Sequence, residues 1–328
     1  MALLLSRRDV ADLLTMKEAI EAVDEAFRQF ALGQVAMPQR TIIRIADHHG
    51  LHVTMPAYIN GRLDALAVKV ATAYPDNPAL HKLPTVMGLV LLNDPRTGAP
   101  LAVMDAGFLT AARTGAASGV ATKYLARQGA SAVGVFGSGV QALAQLEGIC
   151  AVRRVESVHV YDVDAGRARS FAEQAHRHLN VSVVPVDQPQ KAVAGQDIII
   201  FATSATQPVI DGNWLEPGQH INAIGSHTPQ TRELDTTAVV RAKVVPDFID
   251  ACLVEAGDII IPITEGAITR EHLHASLGEI VAGRRCGREN DQEITLFKSV
   301  GLAFQDVAVA SLVFRKAREA EAGTEFAF

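Results

Sequence analysis

The apolar run Ala132-Val133-Gly134-Val135-Phe136 stops at Gly137-Ser138-Gly139, and a helix-like segment, Val140-Gln141-Ala142-Leu143-Ala144, follows at once. Strand, tight glycine turn and helix in that order leave few folds open. The helix N-terminus would offer unpaired backbone N–H groups, a ready receptor for a pyrophosphate. Gly137 permits the turn, Gly139 lets backbone approach a phosphate, and Ala142 is small enough for helix to pack on strand. Gly137, Gly139, Val140 and Gln141 are therefore the expected cofactor-binding residues of the turn. A second strand, Ser157-Val158-His159-Val160-Tyr161, ends in Asp162, 25 residues after Gly137. An acid there can accept hydrogen bonds from both ribose hydroxyls of an adenosine and repels a 2′-phosphate. NAD(H) is expected over NADP(H), with Arg167 and Arg169 nearby leaving NADP(H) open.

Further strand-like runs at 181–186, 197–203, 219–224 and 243–247 alternate with helical segments or turns. That rhythm predicts an α/β fold with a doubly wound parallel sheet of Rossmann type. Strand carboxyl ends face the crevice of such a sheet, so Thr203 and the stretch Asn222, Ala223, Ile224 should line the dinucleotide.

The first 118 residues read differently. Thr15-Met-Lys-Glu18 is a capping box, Ile20, Val23, Phe27, Phe30 and Ala31 follow at helical spacing, and Gly33 stops the helix. Short β-like pieces come next at 40–45, 51–55, 65–71, 86–92 and 100–104, with a turn at Asp94-Pro-Arg-Thr-Gly98. A helix and a meander predict a separate α+β domain. Residues 106–127 are small and helix-compatible, and 301–322 read as one helix able to return to the first domain. The expected division is 1–118 with 303–328 as an α+β substrate and dimerisation domain, and 119–302 as the dinucleotide-binding domain.

A net charge of −6 gives no basic footprint for nucleic acid. Cys150, Cys252 and Cys286 are scattered, without a CxxC pair, as in a reduced cytoplasmic protein. Met1-Ala-Leu-Leu-Leu-Ser-Arg-Arg has too short an apolar run for a leader, and no stretch reaches membrane-spanning length. No membrane partner is expected. His48, His49 and His52 have no carboxylate or thiol at ligand spacing, so no metal is expected.

Several other segments carry a resemblance. They are Pro38-Gln-Arg40, Met55-Pro-Ala-Tyr58, Val68-Lys69-Val70, Leu83-Pro-Thr85, Ala112-Arg113-Thr114-Gly-Ala-Ala117, Gly137-x-Gly139-x-Gln141, Asn222-Ala-Ile-Gly-Ser226, Arg232-Glu-Leu-Asp235 and Thr295-Leu-Phe-Lys-Ser-Val-Gly301. In order and content the chain resembles the ornithine cyclodeaminase/μ-crystallin family, which includes ketimine reductases and archaeal-type alanine dehydrogenases. The resemblance implies a homodimer formed through the substrate-domain sheets, with the reaction in a cleft between domains. It places Arg40, Lys69 and Arg113 on the substrate carboxylate, and adds Thr85, Arg113, Ser226 and Ser299 to the cofactor contacts.

The chemistry of these residues agrees. Guanidinium groups grip a carboxylate in two-pronged fashion. Most lysines and arginines are solvated surface charges. Lys69 fits that description poorly, because Leu66-Ala-Val-Lys-Val-Ala-Thr72 is an apolar run in which a lysine needs a partner or a task. With a lowered pKa it could also shuttle a proton.

Two departures from the family bear on the reaction. Where ornithine cyclodeaminases carry an acid before Met-Pro, this chain has Val53; where they carry a catalytic aspartate after the Ile-Gly-Gly segment, His227 follows Ser226. Both losses disfavour a diamino acid substrate. His227 could donate a proton or order a water, or equally could bond only cofactor or loop backbone. The expected activity is NAD(P)H-dependent reduction of a small imino acid, such as Δ1-pyrroline-2-carboxylate, with Lys69 and His227 as catalytic residues. The alternatives are reductive amination of a small keto acid, as by an alanine dehydrogenase, and non-catalytic binding of NAD(P)H or another ligand.

Overall fold

A computed structural model describes residues 1–327. The chain forms two compact units, Met1–Arg113 with the segment from Leu302 onward, and Thr114–Gly301.

The first unit begins with β1 (Ala2–Leu5), α1 (Arg7–Leu13) and α2 (Met16–Ala31). The apolar run at the N-terminus is thus a strand, parallel to a later one. The capping box forms as expected: Glu18 N–H donates to Thr15 Oγ1 at 3.4 Å, and Thr15 N–H to Glu18 Oε2 at 3.1 Å. Next come β2 (Val35–Ala36), β3 (Thr41–Ile45), β4 (Gly50–Ile59), β5 (Ala65–Ala73), α3 (Asn77–Leu80), β6 (Val86–Asn93) and β7 (Pro100–Asp105). From β3 through β7 each strand pairs antiparallel with the next. The pattern 51–55 foresaw only half of β4, which runs on through Pro56. There β4 has β5 as its one neighbour, since β3 pairs with residues 50–54 and β2 with 58–59. A missing N–H is tolerated on such an open edge.

Helix α4 (Ala106–Leu125) leads into the second unit. There follow β8 (Ala132–Phe136), α5 (Val140–Cys150), β9 (Ser157–Tyr161), α6 (Ala165–Leu179), β10 (Val183–Pro185), β11 (Ile198–Phe201) and β12 (His220–Ala223). The unit continues with α7 (Thr236–Arg241), β13 (Lys243–Pro246), α8 (Ile249–Glu255), α9 (Gly257–Thr264), α10 (Leu277–Val281) and β14 (Thr295–Lys298). All seven strands are parallel, in the order β10-β9-β8-β11-β12-β14-β13. This is the doubly wound sheet that the strand rhythm predicted. Strand β14 was not foreseen; it inserts between β12 and β13. Alternation explains why the sheet's strands are apolar throughout. Ile198 and Ile200 join one buried cluster with Val133 and Val160, while Ile199 and Phe201 join another with Ile221 and Leu296. The order reverses between β8 and β11, where an open α/β sheet gathers its ligand.

The chain then completes the first unit with α11 (Ala303–Glu319) and β15 (Thr324–Phe326). Strand β15 pairs with β1, giving the order β15-β1-β7-β6-β5-β4-β2, with β3 also on β4. Helices α2 and α11 meet through Phe27 and Phe30, whose rings lie 5.2 and 4.9 Å from that of Phe304. Among the described residues no helix is long and apolar enough to cross a membrane.

Candidate active site

In the first unit, Lys69 sits mid-strand in β5, opposite Met55 of β4 and Val90 of β6. It is only 3% exposed, which demands a counter-charge. Asp306, in the first turn of α11, supplies it. Both Asp306 oxygens lie close to Lys69 Nζ, Oδ1 at 3.0 Å and Oδ2 at 2.9 Å. Arg113 Nε donates to Asp306 Oδ1 at 3.0 Å, and Arg113 Nη1 donates to Gln305 Oε1 at 2.9 Å. Arg40, half-buried just before β3, is near enough for its charge to act on Lys69. Burial and the Arg113 guanidinium, with a smaller push from Arg40, bring the Lys69 ammonium down to about 8 against the pull of Asp306. Lys69 and Arg113 thus share the Asp306 carboxylate, and the charge of Arg40 acts on Lys69.

Neither Asp306 nor Gln305 was foreseen from sequence. Asp306 joins Lys69 across 237 residues, a pairing no local pattern can carry. The clue was an acid and an amide, Gln305-Asp306, inside the apolar stripe of a helix. The Asp306 carboxylate is buried and already bonded to two cations, Lys69 and Arg113. Val53 is half-buried on β4, between Ile42 and Ala71.

In the second unit, Gly137 adopts φ +91°, and a Cβ there would stand 2.5 Å from the Ala202 carbonyl oxygen. The turn therefore lies directly against the end of β11. A Cβ at Gly139 would meet nothing within 4 Å, and no side chain caps α5. Open backbone before an uncapped helix suits a pyrophosphate. Ser138 Oγ donates to Asp162 Oδ2 at 2.5 Å, fixing the acid beside the turn. Gln141 carries a buried Oε1 without a hydrogen-bond partner among the described residues, and Val140 is exposed. Arg167 and Arg169 are exposed on α6.

The other expected cofactor residues divide into two kinds. Thr203 follows β11, and its N–H and Oγ1 both donate to Glu233 Oε1, at 2.7 and 2.8 Å. Asn222 is turned inward: its Nδ2 donates to Thr122 Oγ1 at 3.1 Å, and the residue is fully buried. Ala223 is buried too, and its carbonyl accepts from Ser299 N–H at 3.1 Å. Ile224 N–H donates to the Phe201 carbonyl at 3.0 Å. Ser226 Oγ donates to the Thr231 carbonyl at 2.5 Å, and Ser299 Oγ to Asp247 Oδ2 at 2.8 Å. The Thr203, Ser226 and Ser299 side chains thus bond to neighbouring loop groups at the strand ends. In the first unit Thr85 is exposed one residue before β6, its carbonyl accepting from Tyr74 N–H at 2.8 Å.

His227 is exposed, and its Nδ1 lies 2.9 Å from the Gly225 carbonyl oxygen. A carbonyl only accepts, so Nδ1 carries the proton in that bond. Among the described residues no group of three His, Cys, Asp or Glu side chains could hold a metal. His49 instead pairs with Asp76 at 3.0 Å.

A family model described as "Ornithine cyclodeaminase/mu-crystallin family" matches residues 1–321. The chain belongs to that family. It is 40% identical to an alanine dehydrogenase of Archaeoglobus fulgidus, over 99% of this chain and 98% of the relative. It is 39% identical to a Delta(1)-pyrroline-2-carboxylate reductase of Bacillus cereus, over 99% and 100% of the two chains. Among solved structures, the Delta(1)-pyrroline-2-carboxylate reductase of Thermococcus litoralis in complex with NADH and L-proline superposes with a TM-score of 0.96. That match has 48% identity and covers 99% of this chain and 100% of the other. Within the family frame, the glycine turn with Asp162 and the Lys69–Asp306–Arg113 cluster are the two chemically loaded regions of this member.

Proposed function

We propose that this protein is an NADH-dependent reductase of small imino acids, with Δ1-pyrroline-2-carboxylate as the first-choice substrate. The observation that carries the proposal is the Lys69–Asp306–Arg113 cluster, in which two buried cations share one carboxylate. Two buried cations on one carboxylate form a receptor for an acid anion, and burial with the neighbouring Arg113 lowers the Lys69 ammonium to about 8. The first unit is assigned the substrate and the second the coenzyme.

Bound NADH supplies the hydride that reduces the C=N carbon. Arg40 and Arg113 hold the substrate carboxylate, which fixes the imine carbon in place. Lys69, protonated at neutral pH, gives its proton to the substrate nitrogen and recovers one from water. Asp306 keeps the Lys69 and Arg113 side chains aimed and confines the charge. Gly137, Gly139 and the N-terminus of α5 receive the pyrophosphate, and Asp162 the adenosine ribose. His227, oriented by its Gly225 bond, is assigned the second proton-handling position. Val53 and His227, where acids would serve a diamine, point away from ornithine cyclisation.

The relatives support reduction of a preformed imine through two reductases, at 39% and 48% identity. They support reductive amination through the alanine dehydrogenase at 40%. Ammonia separates the two readings, because a cyclic imine is reduced without it. The test is NADH oxidation with a panel of cyclic imino acids, and with keto acids with and without ammonia. Oxidation with cyclic imines alone supports the first choice. Oxidation only with keto acid and ammonia favours amination. Tight NADH binding without turnover of anything supports a binding role, and conversion of ornithine to proline overturns the reading.

A homodimer is also proposed. Ile42, Ile43, Met87 and Leu89 are exposed apolar residues on strands of the first sheet, and an archaeal alanine dehydrogenase at 39% identity is described as a dimer with bound NAD. A cytoplasmic setting accords with three free cysteines.

A further inference from the structure

We propose that Glu233 is a positioning residue for the coenzyme, holding the two loops that leave β11 and β12 in register with the glycine turn. The inference rests on the coenzyme reading above. Glu233 belongs to Arg232-Glu-Leu-Asp235, a segment to which the proposed chemistry gives no task. Its carboxylate is fully buried and takes three donors from two different loops. Thr203 N–H and Oγ1 donate to Oε1, at 2.7 and 2.8 Å, and Gly225 N–H donates to Oε2 at 2.7 Å. A Cβ at Gly225 would collide with the Glu233 carboxylate and the Thr203 carbonyl, so the loops touch through backbone. The Thr203 loop in turn abuts Gly137, whose Cβ position is closed by the Ala202 carbonyl. One carboxylate therefore sets three neighbouring strand ends at the point where strand order reverses.

The carboxylate is itself fixed from behind. Glu233 N–H and Leu234 N–H donate to Asp258 Oδ1, at 2.8 and 3.0 Å. Asp258 Oδ2 pairs with Lys298 Nζ at 2.8 Å, and Lys298 also draws on Glu233 by charge. All three charged groups are fully buried. A solvated surface acid would not justify such support. A clamp that must hold loops to a fraction of an ångström does.

Glu233→Gln keeps the size and leaves Lys298 paired with Asp258, but its amide N–H₂ meets an N–H from one of the two loops. NADH titration by fluorescence, on the full chain, should show a dissociation constant raised about 10- to 100-fold. The circular dichroism spectrum should be unchanged, and the KM for the imino acid at saturating NADH should stay within about twofold. Thr203→Val removes one of the three donors and should weaken NADH about 3- to 10-fold. The double variant should be no weaker than Glu233→Gln alone, because both break the same tie. Unchanged NADH affinity in Glu233→Gln, or equal losses in coenzyme and substrate terms, overturns the role. Should that variant not fold, unchanged affinity in Thr203→Val does so. A parent chain that binds no NADH overturns the coenzyme reading, and this role with it. A parent that binds alongside variants that bind equally overturns the role alone.

Discussion

Among the described residues two lysines are buried, and they have been given opposite surroundings. Lys69 shares one carboxylate, Asp306, with Arg113 and feels Arg40 as well. Lys298 has two carboxylates near it, Asp258 at 2.8 Å and Glu233 beyond. Burial disfavours the ammonium in both places. At Lys298 the two acids outweigh burial and raise its pKa above the ordinary value; at Lys69 burial and the arginines prevail, and the pKa falls to about 8. Burial alone therefore does not mark a reactive lysine; the sign of the surrounding charge does. A positive surplus leaves room for a substrate anion and makes a proton easy to release. A negative surplus locks the proton on and makes a structural ion.

Replacing each lysine should separate these roles. Lys69→Ala should lower turnover about 10³- to 10⁴-fold, with NADH affinity within about twofold of the parent, as read by steady-state rates and fluorescence titration. Lys298→Met should instead lose about 3–5 kcal/mol of stability in denaturant melts, because Asp258 and Glu233 are left buried without their cation. Equal effects of the two substitutions on turnover per folded molecule would erase the distinction. Asp306→Asn keeps the shape and removes the lone carboxylate, so turnover should fall about 100-fold. Its pH profile adds a sign. The protonated Lys69 is the active form for reduction, so parent activity should decline as pH rises through about 8, and in Asp306→Asn the decline should begin at lower pH. The smallest effect is expected outside either cluster: Asp162→Ala should shift the NADH-over-NADPH preference about tenfold towards NADPH, by the ratio of kcat/KM values.

The legible parts of the molecule were those written locally. The apolar strand 132–136 depends on neighbours in sequence and emerges with its expected bounds, and the run 197–203 yields the shorter strand Ile198–Phe201. Strand β14 escaped because it is four residues long and ends in Lys298, which looks unlike a core strand until Asp258 is beside it. The reasoning that singled out Lys69, a lysine in an apolar run, applied to Thr295-Leu-Phe-Lys298 as well. Asn222 shows what alternation adds to position along a strand. Its place at a strand's carboxyl end suggested the crevice, yet alternation along β12 sends its amide inward to Thr122. The partners of Asp306 and Glu233 could not be read, since Lys69 lies 237 positions from the one and Thr203 30 from the other.

The difference between the two lysines can be measured in one sample. NMR of the chain labelled with ¹³Cε-lysine, with the two signals assigned by Lys69→Arg and Lys298→Met, follows each ammonium directly as pH is raised. The account predicts that Lys69 is half-titrated near pH 8 while Lys298, held by its two acids, titrates above the ordinary lysine range. A Lys69 signal that also remains charged past pH 10 would contradict it.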